Sequence, residues 1–240
     1  MIMKDWIEQG LRELALSPAP DAADKLARYG ELLIEKNQVM NLTAITEPKQ
    51  VACLHMLDCA ALLKSVDLKG KRLIDVGTGA GFPGLVLKIL EPSLELTLLD
   101  GLQKRLNWLS EVAQELELGE ITFLHARAEE AAAKAPHREA YDLATARAVA
   151  DMSMLSEMCL PYVKVGGTFC AMKSVDSAEE LTRAEGGIRL LGGKIVGQTD
   201  YTIPHIGVTH RLVLIDKTAP TPKQYPRRWA RVQKDPLSDR

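Results

Sequence analysis

From about residue 70 onward, short apolar runs alternate with stretches long enough to form helices. Strands that are separated by helix-length segments are joined by right-handed crossovers, so they form a mostly parallel sheet. Only the last two runs are joined by a hairpin-sized link, which predicts an antiparallel seventh strand. The pattern therefore predicts an α/β fold with a seven-stranded, mostly parallel sheet whose last strand is antiparallel. The predicted strands are Arg72–Val76, Leu94–Asp100, Ile121–His125, Asp142–Thr145, Thr168–Met172, Lys194–Tyr201 and Arg211–Ile215.

Helical periodicity accounts for much of the remaining chain. Between and after the strands, helices are predicted near 82–90, 102–117, 127–134, 151–160 and 177–191. Before the sheet, three more are predicted, over 1–16, from Asp21 to about Lys36, and from Pro48 to about Leu63. The chain is therefore expected to consist of an N-terminal helical extension (1–65), an α/β domain (66–218) and a basic C-terminal tail (219–240).

The sequence favours a cytoplasmic protein without a metal site. Its first residues run into a charged segment with no apolar core, so we expect no signal peptide. No run approaches the roughly 18 apolar residues of a membrane span. The four cysteines form no CxxC pair, and each lies among apolar neighbours, as buried reduced thiols do. We therefore expect no membrane contact and no metal.

Charge is unevenly distributed along the chain, although the formal net charge is only −2. From Lys217 to Arg240, seven Lys or Arg stand against two Asp, a net charge of +5 that leaves −7 on the residues before it. This distribution predicts an acidic body that carries a basic, proline-punctuated end.

A glycine-rich segment, Asp75–Gly84, closes the first predicted strand and opens a helix. Glycines there permit a tight turn, and Gly79 is expected to lie under a ligand. A dinucleotide-binding loop needs a glycine five residues after Gly77, where this chain has Phe82. The acid two residues before the first glycine, Asp75, instead suits a ligand with an ammonium group, such as S-adenosylmethionine. A glycine turn without a ligand is the alternative.

Two further loops at the same predicted edge suit a nucleoside. Asp100 ends the second strand, where a carboxylate can accept hydrogen bonds from ribose hydroxyls. Ala128 and Glu129 follow the third strand, where a backbone amide and an acidic side chain can bind the edge of an adenine. The alternative for these two residues is an exposed, charged helix start.

Cations follow the fourth and fifth strands, at Arg147 and Lys173. Amino-directed methyltransferases often carry an Asp/Asn-Pro-Pro-aromatic motif after the fourth strand, and this chain lacks it. Arginine is a permanent cation with planar donors, so we expect Arg147 to act in the site and Lys173 to be a weaker candidate. His55 and Asp58 lie three residues apart on a predicted helix. They form either a catalytic pair or a hydrogen bond on the helix surface.

Several of these segments together resemble one known family. They are Asn41–Ile45, His55–Asp58, Asp75–Gly84, Arg127–Glu129, Thr145–Val149 and Thr221–Arg227. With them the chain resembles the GidB/RsmG family of bacterial small-subunit ribosomal RNA guanine-7 methyltransferases. The Gly-Phe-Pro-Gly, Thr-Ala-Arg-Ala and Tyr-Pro-Arg sequences are the most specific of the matches. One departure is Gly101, where members often have a serine.

The resemblance implies a Rossmann-like class I methyltransferase fold with S-adenosylmethionine as cofactor. It implies that Gly77, Phe82, Ala128, Glu129 and Arg147 contact the cofactor or the transfer site, with Arg147 as the predicted catalytic residue. It also implies methylation of ring nitrogen 7 of a guanosine in small-subunit ribosomal RNA. That nitrogen carries a lone pair and no proton, so catalysis can rest on alignment alone. We separately expect a monomer, whose substrate is either the RNA itself or a ribosomal particle.

RNA binding is expected from Arg147, Lys173, Arg211 and the tail, because phosphates bind such cations. Tyr225 and Trp229 can stack on unpaired bases; the alternative is that Tyr225 only pins the tail to the domain. Three rival functions are methylation of a small molecule or protein, nucleotide binding without catalysis, and NAD-dependent dehydrogenation.

Overall fold

The computed structural model describes residues 2–147 and 150–238. Outside the described residues lie Met1, Ala148, Val149, Asp239 and Arg240. The end of the matched 145–149 segment and the last two charged residues of the basic tail, Asp239 and Arg240, therefore lie outside the described residues.

The described residues contain seven strands in one sheet: β1 (Arg72–Val76), β2 (Glu95–Asp100), β3 (Ile121–His125), β4 (Tyr141–Arg147), β5 (Val163–Ser174), β6 (Gly193–Thr202) and β7 (Thr209–Lys217). Their order across the sheet is β3-β2-β1-β4-β5-β7-β6. Neighbours among β1 to β5 pair in parallel, whereas β7 pairs antiparallel with both β5 and β6. Only β7 is therefore reversed, which confirms the predicted sheet.

The α-helices of the described residues are α1 (Met3–Glu13), α2 (Ala22–Asn37), α3 (Pro48–Val51), α4 (Asp58–Ala60), α5 (Gly84–Leu90), α6 (Gln103–Glu115), α7 (Ala128–Ala131), α8 (Met152–Cys159), α9 (Ala178–Leu190) and α10 (Trp229–Lys234). A π-helical stretch (Ala52–Leu57) joins α3 to α4, and a 3-10 stretch (Ala61–Lys64) follows α4. We call this continuous segment the 48–64 helix. The sequence predicts it as one α-helix; the π turn is the difference, and such turns are frequent at functional sites.

Strand ends differ from the predicted ones because backbone pairing continues past the apolar runs. β5 begins at Val163 rather than Thr168, and β4 continues to Arg147, which pairs with Met172. Ladder hydrogen bonds use backbone groups, so polar side chains at these positions do not end a strand. The C-terminal helix α10 is not predicted at all.

Two apolar clusters lie on opposite faces of the sheet. In one, Leu109 of α6 belongs with Ile7, Leu26 and Met56 of the helices that precede the sheet. In the other, α8 and α9 cover side chains such as Phe169 of β5. Burying an aliphatic side chain of this size contributes roughly 2 kcal/mol. The first 65 residues thus share one core with the sheet, and the predicted boundary at residue 65 stays a prediction.

The carboxyl end of β1 is the switch point of the sheet. β1 pairs with β2 on one side and with β4 on the other. In open α/β sheets, ligands bind in the crevice outside the strand ends at such a point. Parallel pairing brings Val76, Asp100 and Arg147 to this one edge.

Two internal ion pairs anchor the C-terminal segment. The buried Lys217 Nζ donates to Glu139 Oε1 at 3.0 Å. Arg227 donates from Nε to Glu157 Oε1 at 2.8 Å and from Nη2 to Oε2 at 2.6 Å, and Glu157 has no exposed surface. Two of the seven cations counted in the basic end are therefore internal, so the surface there is less basic than the sequence predicts.

The guanidinium of Arg138 adds a further tie. It donates from Nη2 to the carbonyl oxygen of Thr221 at 2.7 Å and from Nη1 to that of Tyr225 at 2.8 Å. Of the two alternatives for Tyr225, these contacts favour the one in which it pins the tail.

Replacing Arg227 with Ala should lower the free energy of unfolding by about 3 kcal/mol or more, because it leaves the buried carboxylate of Glu157 without the cation that pairs with it. Urea unfolding at neutral pH measures this. The control is Arg228→Ala, since that neighbouring side chain is exposed and should change stability by at most about 0.5 kcal/mol. Equal losses in both variants would show that the ion pair does not anchor the segment.

Candidate functional site

A cavity of about 530 Å³ opens at the carboxyl edge of β1, β2 and β4. We call it the central cavity. Its lining includes the glycine loop together with Thr43, His55, Asp100 and Arg147. The switch point of the sheet is therefore concave and lined by charged and polar side chains.

Two further cavities adjoin the central one. The Trp229 cavity, of about 190 Å³, shares Gly77 and Asp100 with it and adds Ala128, Glu129 and Trp229. The His210 cavity, of about 530 Å³, shares His55 and Arg147 with it and adds Asp58, Lys173 and His210.

The glycine loop has free space beside Gly79, which lines the central cavity, whereas Gly81 packs closely against neighbouring helices. Gly77, Gly79 and Gly81 have positive φ, of 72°, 58° and 90°, which L side chains rarely adopt. A Cβ on Gly79 would meet no atom closer than 3.9 Å, whereas one on Gly81 would collide with Tyr29 of α2 and Leu109 of α6.

Asp75 lies beneath this loop and has no exposed surface. Its Oδ2 accepts hydrogen bonds from Thr78 Oγ1 at 2.6 Å and from the Gly84 amide at 3.0 Å. Its Oδ1 has no hydrogen-bond partner among the described residues. Burial raises the pKa of Asp75 to about 6. Asp75 therefore holds the loop in shape, and its contact with a ligand stays a prediction.

Asp100 lines both the central and the Trp229 cavities. Its Oδ2 accepts from the Gly79 amide at 2.9 Å, and its Oδ1 accepts from the Leu102 amide at 2.8 Å. Arg105 Nη1 lies 3.4 Å from Oδ2. A carboxylate has about four lone-pair sites, so these three donors leave about one of them, on Oδ1, for a hydroxyl group in the cavity.

The C-terminal helix α10 closes the Trp229 cavity. Ala128 and Glu129 form one wall, and Glu129 is only 8% exposed, so the alternative of an exposed helix start is wrong for it. Arg127 lies between the two sides, with Nε 3.6 Å from Glu129 Oε1 and its guanidinium carbon 5.7 Å from the Trp229 ring centroid.

Arg147 connects the end of β4 to the 48–64 helix. Its Nη1 donates to the Leu54 carbonyl oxygen at 2.8 Å and to Asp58 Oδ2 at 3.0 Å, and its Nη2 donates to His55 Nδ1 at 2.9 Å. Its guanidinium carbon lies 4.9 Å from the Phe82 ring centroid. Three of its five N–H hydrogens serve these bonds, and the other two have no hydrogen-bond partner among the residues that the structure describes.

His55 is neutral in this arrangement. Arginine can only donate, so Nδ1 of His55 accepts and the proton resides on Nε2, which donates to Thr43 Oγ1 at 2.9 Å. Burial and the charge of Arg147 lower the pKa of His55 to about 3. The ring stacks on Phe82, with centroids 4.5 Å apart.

Asp58 is 1% exposed and has partners on both oxygens. Besides Arg147 on Oδ2, Tyr201 Oη at 2.7 Å and His210 Nδ1 at 2.8 Å donate to Oδ1. Burial opposes its charged form, but the hydrogen bond from His210 and the charge of Arg147 outweigh burial and lower its pKa. Because His55 and Asp58 are buried and each binds Arg147, the predicted hydrogen bond on the helix surface is wrong.

Two cations that the sequence offers for RNA binding already have acidic partners. Lys173 Nζ lies 2.6 Å from Glu180 Oε1. Arg211 donates to Asp200 from Nε at 2.6 Å and from Nη2 at 2.9 Å. Lys173 nevertheless lines the His210 cavity.

Sequence reasoning misses Thr43 and His210 as site residues and does not place Trp229 against a ligand cavity. Thr43 lies in a matched segment, which is the one signal that marks it. His210 and Trp229 reach the site from the last strand and the tail, so no local pattern marks them.

Within residues 2–147 and 150–238, no helix is both long and apolar enough to cross a membrane, and no group of three or more His, Cys, Asp or Glu side chains is arranged to hold a metal ion.

Comparison with solved structures identifies the fold class. TrmN from Thermus thermophilus aligns with a TM-score of 0.53 over 67% of this chain and 48% of that one, at 24% identity. A SAM-dependent O-methyltransferase from Thermotoga maritima aligns with a TM-score of 0.52 over 79% of this chain and 72% of that one, at 17% identity. These similarities confirm the predicted Rossmann-like methyltransferase fold and, at such identities, show the fold alone.

Sequence comparison identifies the family. The family model described as GidB, rRNA small subunit methyltransferase G, matches residues 22–199. Proteins named ribosomal RNA small subunit methyltransferase G are 46% identical in Alkaliphilus metalliredigens, over 99% of this chain and 98% of that protein, and 44% identical in Alkaliphilus oremlandii, over 99% and 100%. One from Clostridium perfringens is 46% identical over 97% of this chain and 98% of that protein. The chain therefore belongs to the GidB family and is an S-adenosylmethionine-dependent methyltransferase.

Proposed function

We propose that this protein methylates ring nitrogen 7 of a guanosine in small-subunit ribosomal RNA. One observation carries the proposal: the central and His210 cavities adjoin and share a wall made of His55 and Arg147. Methyl transfer requires the cofactor and the nucleophile to lie on opposite sides of the methyl group. His55 and Arg147 border both the central cavity and the His210 cavity, the two spaces that these reactants would occupy. The names of the relatives supply the class of RNA.

The residues around the central cavity fit S-adenosylmethionine. At Gly79 the loop leaves room that a Cβ would fill. The unpartnered Oδ1 of Asp75 lies beneath the loop, where a ligand's ammonium group compensates its charge. Asp100 has one acceptor site left for a ribose hydroxyl, and Ala128 and Glu129 line the adjoining cavity where an adenine fits.

The proposed chemistry asks for alignment rather than for a base. S-adenosylmethionine, when bound, supplies a methyl group on a positively charged sulfur. Ring nitrogen 7 of guanine offers an in-plane lone pair and has no proton to lose. His55 is neutral with Nδ1 already occupied, and burial raises the pKa of Cys59, so neither side chain is poised as a base or nucleophile. We assign the chain the task of aligning the two reactants.

The His210 cavity is the space we assign to the guanine. It is large enough for a purine and its lining includes the polar side chains of Lys173, Glu180 and His210. A base in such a pocket must leave its stack, as bases do in other enzymes that modify them. Arg147 lines this cavity as well, and we assign its two remaining N–H donors to the base or its phosphate.

We further propose that the protein acts as a monomer in the cytoplasm. Its RNA contacts come from exposed cations around the cavities, including Arg228, Arg231 and Lys234 of the tail. Phosphate contacts of this kind make RNA affinity fall as salt rises.

The experiment that tests the proposal is mass mapping of modified nucleosides in small-subunit ribosomal RNA from cells with and without this protein. One 7-methylguanosine should disappear without the protein and return with the wild-type chain. In vitro, the purified protein should restore it on RNA or on particles from the deficient cells. Unchanged ribosomal RNA, with methylation of another class of substrate, would contradict the proposal.

Asp75→Asn should stabilise the ligand-free protein at pH 7.5 and weaken its binding of S-adenosylhomocysteine. Folding raises the pKa of this carboxyl from 3.8 to about 6. The stability that its protonated form contributes is present below the unfolded pKa and is lost as pH rises through the folded pKa. Wild type should therefore lose about 3 kcal/mol between about pH 4 and pH 7, and the variant should not.

Urea unfolding across this pH range and calorimetry with S-adenosylhomocysteine check the Asp75 prediction. Asp67→Asn, at an exposed position, should follow the wild-type pH dependence. Parallel pH profiles for wild type and Asp75→Asn would mean that the buried carboxyl does not titrate as described.

Asp100→Ala should reduce the preference for a ligand with free ribose hydroxyls. Wild type should bind S-adenosylhomocysteine more tightly than its 2′-deoxy analogue, because Asp100 retains a free acceptor site on Oδ1 in the cavity. A hydrogen bond to a charged group contributes about 2 kcal/mol, so the difference should be at least tenfold and should shrink in the variant. Equal discrimination in both proteins would remove Asp100 as the ribose acceptor.

Arg147→Lys should lower single-turnover methyl transfer, measured at saturating cofactor, about 100-fold or more. An ammonium group cannot reproduce the bonds to the Leu54 carbonyl, Asp58 and His55 at once, and misplaced reactants cost about this much. The matched control is Arg211→Lys, whose fork to Asp200 lies outside the lining of the central and His210 cavities. Full activity of Arg147→Lys would show that the wall does not align the reactants.

A further inference from the structure

We propose that the hydroxyl of Thr43 donates a hydrogen bond to the α-carboxylate of the bound cofactor. Thr43 lines the central cavity together with His55 of the 48–64 helix and with the glycine loop. The assignment follows from counting donors and acceptors along a chain of hydrogen bonds that begins at Arg147.

The chain has one possible direction. Arg147 has no lone pair and donates to Nδ1 of His55, which forces the histidine proton onto Nε2. Nε2 therefore donates to Thr43 Oγ1, at 2.9 Å. The Ile45 amide also donates to Oγ1, at 3.0 Å. A hydroxyl oxygen has two lone pairs, and both are now used.

The hydroxyl of Thr43 can consequently act only as a donor toward a ligand. Its position is fixed from the other side by the Asn37 side chain. Oδ1 of Asn37 accepts from the amides of Leu42 at 2.8 Å and Thr43 at 3.0 Å, while Nδ2 donates to the Thr43 carbonyl oxygen at 2.9 Å. A donor held in this way loses little entropy when a ligand binds.

The chemistry of the cofactor's methionine part selects the acceptor. Thr43 is linked through His55 to Arg147 at the end of β4, on the opposite side of β1 from Asp100 at the end of β2. This inference rests on the proposed function, which places the ribose at Asp100 and therefore the methionine part of the cofactor toward Thr43. Its ammonium group only donates and its sulfonium accepts nothing, so the carboxylate is its one acceptor.

The test compares two ligands by calorimetry on RNA-free protein. S-adenosylhomocysteine carries the carboxylate, and its decarboxylated analogue does not. Thr43→Val should weaken S-adenosylhomocysteine about tenfold or more, as expected for a hydrogen bond to a charged group, and leave the analogue within about twofold. Thr43→Ser, which keeps the hydroxyl, should bind both ligands as wild type does.

Two results would overturn the proposal. Equal weakening of both ligands in Thr43→Val would mean a general loosening of the site. Unchanged binding of both would mean that the hydroxyl does not face the cofactor, and a raised KM for RNA in that case would assign it to the base. Should Thr43→Val fail to fold, Thr43→Ala leaves room for a water to bridge Ile45 and His55, and the same comparison decides.

Discussion

The guanidinium of Arg147 is the contact on which the site depends, because it joins the end of β4 to the helices that precede the sheet. It binds the Leu54 carbonyl, Asp58 and His55 and lies over Phe82 of the glycine loop. Arg147 is largely buried, and a buried cation is stable only when it is paired and hydrogen-bonded. The packing of the 48–64 helix against β4 therefore compensates the charge of Arg147 through Asp58. The same contacts form the wall of His55 and Arg147 that borders the central and His210 cavities.

The glycine loop depends on the same helices in a second way. Tyr29 of α2 donates its hydroxyl to the Ala80 carbonyl oxygen and packs against Phe82. Beneath the loop, Asp75 ties Thr78 to Gly84 at the expense of an unsatisfied oxygen and a raised pKa. Two contacts thus hold the glycine loop. One is the neutral hydrogen bond from Tyr29 of α2, and the other is the carboxylate of Asp75, whose burial without a ligand is costly.

Alternating apolar runs and helical stretches suffice to predict the sheet, its one reversed strand and the edge that bears Asp75 and Asp100. They do so because parallel strands place their carboxyl ends together whatever the loops contain. The pairing of cations cannot be predicted in this way. Lys217 and Arg227 count as surface charge in the sequence, but Glu139 and Glu157, which neutralise them inside the fold, are distant along the chain. Tertiary contacts of this kind also bring Trp229 to its cavity.

The proposed transfer moves a positive charge from the cofactor's sulfur to the guanine ring. The side chains beside this path, His55 and Arg147 with its partner Asp58, should therefore carry little net positive charge. Asp58 compensates Arg147 at 3.0 Å. His55 stays neutral because burial and Arg147 lower its pKa to about 3. A protonated His55 would place a second cation against Phe82 and oppose the moving charge in a region of low dielectric constant. The hydrogen bonds that align the site therefore also set its charge, and for this reason a change in one partner should disturb both.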